Sequence, residues 1–152
     1  MTIRIGAEAP DFTLRDQANR RTTLSEYRGT RNVLLVFFPF AFSGMCTGEL
    51  CGVRDDIGTY QNDAVQVLGI STDQPFALRA FAEKEGYDFP LLSDFWPHGE
   101  VAGRYGVFLP QMGMAGRGTV LVDKAGVVRF VESNGPGDAR DASAWRDAVK
   151  QL

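Results

Sequence analysis

Two cysteines, Cys46 and Cys51, and a single histidine, His98, carry most of the nucleophilic and metal-binding potential of the chain. A Cys-x4-Cys pair with one histidine is too poor a ligand set for a tetrahedral structural zinc site. Cys-x2-Cys is missing, so the usual motif of dithiol exchange is missing too. What remains is thiol chemistry at a favoured position. Cys46, Leu50, Val53, Ile57 and Tyr60 recur at spacings of four, three, four and three, the stripe of an amphipathic helix with Cys46 in its first turn. The preceding N-V-L-L-V-F-F-P run, residues 32–39, predicts a strand buried on both faces. A residue at the carboxyl end of such a strand sits where α/β sheets place their ligands. The unpaired amides and partial positive charge of a helix start also favour a thiolate over a thiol. The same position suits a small buried hydrophobe, so position alone leaves both readings open.

The elements that must hold this cysteine follow from patterning. Alternation at Phe12 and Leu14, then a polar turn at residues 16–20, predicts a hairpin with residues 21–24. Thr23 and Glu26 have capping-box spacing, and Gly29 closes a short helix. Residues 64–71 predict a second buried strand. Thr72-Asp73 with Pro75 then starts a helix carrying Phe76, Ala80 and Phe81 and ending at Gly86. A short strand at 89–92 and a brief helix holding Val101 and Tyr105, closed by Gly106, come next. Residues 118–122 and 127–132, around the turn D-K-A-G, give the clearest hairpin signal. Trp145 and Val149 mark a terminal helix over 142–152. The implied architecture is α/β: a mixed central sheet flanked by helices, parallel at its strand–helix–strand units and antiparallel at the late hairpin. His98 is expected to cap the helix begun after Pro97, and Phe95 and Trp96 to form satellite core or interface anchors. The G-M-A-G-R-G segment at 113–118 lacks the lysine and following helix of a phosphate loop.

Length and charge narrow the classes. With 152 residues, 44% of them hydrophobic, a single domain spanning 1–152 buries roughly two thirds of its unfolded surface without staples. The possible linker N-G-P-G-D at 134–138 lies too near the end to divide it. A net charge of −3 and a pI near 5.1 remove the electrostatic footprint of a nucleic-acid binder. No apolar run approaches the ~20 residues of a membrane span. The N-terminus lacks the charged and apolar regions of a secretory leader, which favours the cytoplasm, where close cysteines are more often catalytic than structural.

The string Pro39-Phe40-Ala41-Phe42-Ser43-Gly44-Met45-Cys46 matches P-x-x-x-[TS]-x-x-C, and the chain therefore resembles the peroxiredoxins. Glu49, Arg117 before the penultimate strand, and Ala9-Pro10-Asp11-Phe12 extend the resemblance to essentially the whole chain. Within the family the sequence is most similar to the actinobacterial AhpE type (alkyl hydroperoxide reductase E), sharing the flavour of residues 33–42, 89–99 and 105–108. The resemblance implies a thioredoxin-like fold with an N-terminal β-hairpin extension, and thiol-dependent reduction of hydrogen peroxide, organic hydroperoxides or peroxynitrite through a sulfenic acid on Cys46. No metal, haem or flavin is implied. The implied partners are a thiol reductant such as thioredoxin, or a mycothiol and mycoredoxin system in an actinobacterium, and a second copy in a homodimer.

By the same resemblance, Ser43 hydrogen-bonds the sulfur or the peroxide, Pro39 shields the sulfur from water, Arg117 stabilises developing charge, and Glu49 orients Arg117. Arg140 is either a secondary buttress or part of the solvated run D-A-R-D. A lowered thiol pKa does not explain fast chemistry. Moving it from about 8.5 to about 6 raises the thiolate fraction near neutral pH by roughly tenfold, and the Brønsted loss of nucleophilicity takes a similar factor back. Donors placed where the O–O bond lengthens must supply the rest. Cys51 departs from the AhpE pattern but has the spacing of the resolving cysteine in Q-type (bacterioferritin-comigratory) peroxiredoxins. On an ideal helix, positions five apart have Cα atoms about 8–9 Å apart, beyond the ~7 Å limit for a disulfide. Resolution by Cys51 therefore requires the first turn to unwind, eased by Gly48, and the other route is an external thiol. The rival functional readings are a peroxide-sensing or chaperone-like module switched by Cys46–Cys51 oxidation, and a general disulfide oxidoreductase.

Overall fold

The computed structural model describes residues 1–135 and 138–152, and the side chain of Cys46 also lies outside the described set. The expected hairpin forms from Thr13–Asp16 (β1) and Arg21–Thr23 (β2). Its Thr23 does not cap the next turn as expected. The Thr23 hydroxyl pairs with that of Thr13 across the hairpin at 2.7 Å, and Leu24–Tyr27 is a 3-10 turn with no side-chain cap. Cross-strand pairing outcompetes the local capping box.

Asn32–Phe37 (β3) is buried throughout, as its run of apolar residues requires. Gly44–Asp55 (α1) and Ile57–Tyr60 (α2) follow. The single expected stripe is thus broken at Asp56, yet Leu50, Val53 and Tyr60 still bury together. Val65–Ser71 (β4) leads into Pro75–Glu85 (α3), which ends at the left-handed Gly86. The N-cap of α3 is Gln74 rather than the expected Thr72-Asp73. Leu78, Phe81 and Ala82 face inward, and Phe76 is 81% exposed. Leu91–Ser93 (β5) and Glu100–Arg104 (α4) come next. The amides of Val101 and Ala102 at the start of α4 are held by the buried Asp94 carboxylate at 3.1 and 2.9 Å. Burial pushes the Asp94 carboxyl above its ordinary range, while these two donors pull the other way. His98 does not cap this helix. Its ring nitrogens lie 3.1 Å from the Phe95 carbonyl and 2.7 Å from the Gly113 carbonyl. Trp96, read as satellite core or an interface anchor, is 79% exposed and is not core.

Phe108–Leu109 (β6) and Met114–Ala115 (β7) form a two-residue ladder too short to leave a periodic signal. Arg117–Val122 (β8) and Val128–Asn134 (β9) form the expected late hairpin, and Ala142–Lys150 (α5) closes the chain. Asp141 caps α5 by accepting from the amides of Ser143 and Ala144.

Among the described residues, seven strands make the main sheet in the order β2-β1-β5-β4-β3-β8-β9. The pairs β3·β4 and β4·β5 are parallel, and β3·β8, β8·β9 and β1·β5 are antiparallel. The sheet is mixed, as expected, and the N-terminal hairpin extends it past β5. Strand alternation divides the core in two. Val33, Leu35 and Phe37 pack with Val101, Ala102 and Tyr105 on one face. Leu34, Val36 and Phe38 pack with Leu50, Val53, Leu78, Phe81 and Trp145 on the other. Helix α1 is thereby clamped over the sheet, with its N-terminus at the carboxyl end of β3. Among the described residues, no helix is long and apolar enough to cross a membrane.

Candidate active site

Where β3 ends, the chain passes through Phe38 and the buried Pro39 into the turn at residues 40–43. That turn is tight enough to put Phe42 at φ 69°, a left-handed conformation that costs a bulky residue about 1–3 kcal/mol. Tertiary contacts offset the strain. The half-exposed Phe42 ring packs on Phe81 at 5.0 Å, with the Lys84 ammonium 5.7 Å from its centroid. The Ala41 amide donates to Asp73 Oδ2 at 2.8 Å, which also accepts from Ser71 Oγ at 2.7 Å. Asp73, expected to start a helix, instead fastens the turn that delivers the chain into α1. Asp73→Ala should cost about 1.5–3 kcal/mol, the scale of hydrogen bonds to a charged group, and slow Cys46 oxidation several-fold in stopped flow. An unchanged rate at reduced stability would show that this strap does not serve the site.

Ser43 occupies the N-cap position of α1, but its hydroxyl makes no cap and donates to the Phe40 carbonyl at 2.7 Å. Its one proton is committed there, so toward any group in the site Ser43 is an acceptor. Cys46 lies in the first turn of α1, at the positive end of the helix dipole, and that turn holds no acidic residue. Glu49 stands three residues on, which puts positions 46 and 49 on one helical face.

Glu49 gathers two arginines. Its Oε1 pairs with the Arg117 guanidinium and, at 3.2 Å, with Arg140 Nε. Its Oε2 accepts the Arg140 backbone amide at 2.7 Å. Both arginine side chains are 1% exposed and Glu49 is 13% exposed. Arg117 Nε also donates to the Asp138 carbonyl at 3.1 Å. Arg140 Nη1 donates to the Gly118 carbonyl at 3.0 Å and the Thr119 hydroxyl at 3.1 Å, and Nη2 to the Phe37 carbonyl. The expected Glu49–Arg117 pair is therefore present. Arg140 does not belong to a solvated run; it is a buried member of the cluster.

Cys51 does not join this group. It faces the end of α3, with Sγ 3.5 Å from Glu85 Oε2 and 3.3 Å from the Tyr87 hydroxyl. Tyr87 donates to the Thr47 carbonyl at 3.0 Å. Burial, with the Cys51 thiol beside it, pushes the Tyr87 hydroxyl far above the ordinary tyrosine range, so it stays a proton donor.

Comparison with known proteins decides the family. The AhpC/TSA family profile matches residues 5–131. The chain belongs to that family. It is 51% identical over 150 residues, 99% of its length and 98% of the relative, to alkyl hydroperoxide reductase E of Mycobacterium tuberculosis. It is also 45% identical over 92 residues, 60% of the chain and 58% of the relative, to peroxiredoxin Bcp of Escherichia coli. The crystal structure of peroxidoxin BcpB from M. tuberculosis superposes with a TM-score of 0.88 at 30% identity, covering 99% of this chain and 98% of that one. The fold is thus thioredoxin-like, and the protein is a peroxiredoxin and a thiol-dependent peroxidase. This favours the enzyme over the sensing, chaperone-like and general oxidoreductase readings.

Sequence reasoning missed Asp73 and Tyr87 and left Arg140 undecided. Asp73 and Arg140 act across 32 and 91 residues. Tyr87 carried no signal beyond being an aromatic after a helix-ending glycine.

Proposed function

We propose that Cys46 is the peroxidatic residue of a single-domain enzyme spanning residues 1–152. Its thiolate attacks one oxygen of a hydroperoxide, the S–O bond forms as O–O breaks, and the distal oxygen leaves as hydroxide or alkoxide. The single observation that carries this reading is the buried Glu49–Arg117–Arg140 cluster on the helical face of Cys46. Among the described residues its two cations stand against one carboxylate, which supports a net positive charge where the leaving oxygen turns negative. Arg117 supplies that charge, Glu49 aims it, Pro39 walls the sulfur from water, and Ser43 accepts from the hydroperoxide O–H. Cys51 then resolves the sulfenic acid, or an external thiol does.

The substrates proposed are hydrogen peroxide, organic hydroperoxides and peroxynitrite, and the name of the mycobacterial relatives supports the second class. The reductant proposed is thioredoxin or a mycothiol and mycoredoxin system, the assembly a homodimer and the compartment the cytoplasm. The test is residue-resolved mass spectrometry after one equivalent of peroxide. Cys51→Ala should accumulate one added oxygen on Cys46, and the unaltered chain should go on to a Cys46–Cys51 disulfide. Oxygen trapped on Cys51 instead of Cys46 would overturn the assignment.

A further inference from the structure

Helix α1 is strapped along one face to Glu85 at the end of α3 and to Tyr87 just beyond it. Thr47, Cys51 and Arg54, at i, i+4 and i+7, are the positions that touch it. Arg54 Nη1 donates to the Glu85 carbonyl at 2.6 Å. The Tyr87 hydroxyl lies between the other two, donating to the Thr47 carbonyl and touching the Cys51 sulfur. Its ring is fixed, edge-on to Phe81 and stacked on Phe89, each at 5.2 Å. Tyr87 therefore ties the turn that follows Cys46 to the thiol one turn further along. Positions 46 and 51 project about 140° apart around an ideal helix. No disulfide can form between them until the segment containing Thr47 leaves its helical path.

We propose that the Tyr87 hydroxyl is a latch on the resolving step: by holding the Thr47 carbonyl and the Cys51 thiol together it keeps α1 wound, and its release governs how fast Cys51 reaches the oxidised sulfur of Cys46. This rests on the reading of Cys51 as the resolving thiol. In the step itself the S–S bond forms as the S–O bond of the sulfenic acid breaks. The Cys51 proton, with the Glu85 carboxylate 3.5 Å away to receive it, ends on the departing hydroxide as water. Oxidation is shared between the two sulfurs, and no outside electrons enter. The latch also sets a competition, because a sulfenic acid that waits longer meets more peroxide and goes on to sulfinic acid.

Tyr87→Phe keeps the ring and removes the hydroxyl. The loss of hydrogen bonds of ordinary net strength should speed disulfide formation about five- to tenfold. The rate of Cys46 oxidation should stay unchanged, and the sulfinic fraction in excess peroxide should fall. Rapid quench with mass spectrometry reads all three. Amide exchange across residues 47–51 of the reduced protein should rise by a similar factor, which a role confined to packing would not produce. Disulfide formation at an equal or slower rate in Tyr87→Phe overturns the latch alone. A disulfide in neither protein overturns the resolving role of Cys51 and the latch with it.

Discussion

Arg117→Met should react with hydrogen peroxide about 10²- to 10³-fold more slowly than the unaltered enzyme, the scale of removing one preorganised donor from a developing oxyanion. Thiolate formation cannot make up such a loss, because its gain in ionised fraction is nearly cancelled by lower nucleophilicity. What Arg117 adds is a permanent charge on a planar fork, buried and held by Glu49 and the Asp138 carbonyl. No solvent has to reorganise when the leaving oxygen turns negative. Arg117→Lys should recover only part of the rate, since an ammonium keeps the charge and loses the fork. Glu49→Gln should slow the reaction less than Arg117→Met does, because it frees the guanidinium without removing it. Stopped-flow oxidation of the reduced enzyme, corrected for folded fraction by circular dichroism, measures this. A rate within threefold of the unaltered enzyme would remove Arg117 from the chemistry.

The parts of this site that pattern made legible in the sequence share one property: their signals are local. The buried run that begins in β3 stops at Pro39, two residues past the strand's last residue, the spacing from Cys46 to Tyr60 is helical on both sides of the break at Asp56, and the signature from Pro39 to Cys46 lies within one strand-to-helix turn. Arg117 and Glu49 were legible through family resemblance, not through pattern. The unread parts depend on distant partners. Arg140 stands in D-A-R-D, which looks solvated because nothing nearby announces the carboxylate 91 residues earlier. Asp73 and Thr23 each fit a helix-capping pattern, and each is diverted by a better partner, the Ala41 amide for one and the Thr13 hydroxyl for the other. Capping contributes only about 1 kcal/mol, so a single competing tertiary hydrogen bond redirects it. The ladder of β6 and β7 is too brief to show a period. The positive φ of Phe42 also has no sequence signal, since a bulky aromatic is among the last residues expected there.

Arg140→Met should destabilise the fold by about 3–5 kcal/mol, the cost of removing one member of a buried hydrogen-bonded charge cluster. The electrostatic part of this loss is moderate, because Glu49 keeps Arg117 as a partner. The larger part comes from the sheet. Regular pairing of β3 with β8 stops at Val36 and Thr119, and the next residues along the two strands are Phe37 and Gly118. Arg140 donates to the carbonyls of both, so its guanidinium replaces the ladder where the strands part to make room for the site. Methionine fills the volume but leaves two carbonyls and the Thr119 hydroxyl without that donor, each costing about 1–3 kcal/mol if left unsatisfied. Because Arg117 is the first residue of β8, loosening this junction should also misplace it, and peroxide reactivity should fall with stability. Arg140→Lys should restore less than half of the loss, since one ammonium cannot reach both strands and Glu49 in the same geometry. Urea unfolding followed by far-UV circular dichroism reads the stability. A double variant with Glu49→Gln should lose less than the sum of the two single changes, because both break the same cluster. Strict additivity, or a loss under 1 kcal/mol for Arg140→Met, would show that the strand ends hold together without it.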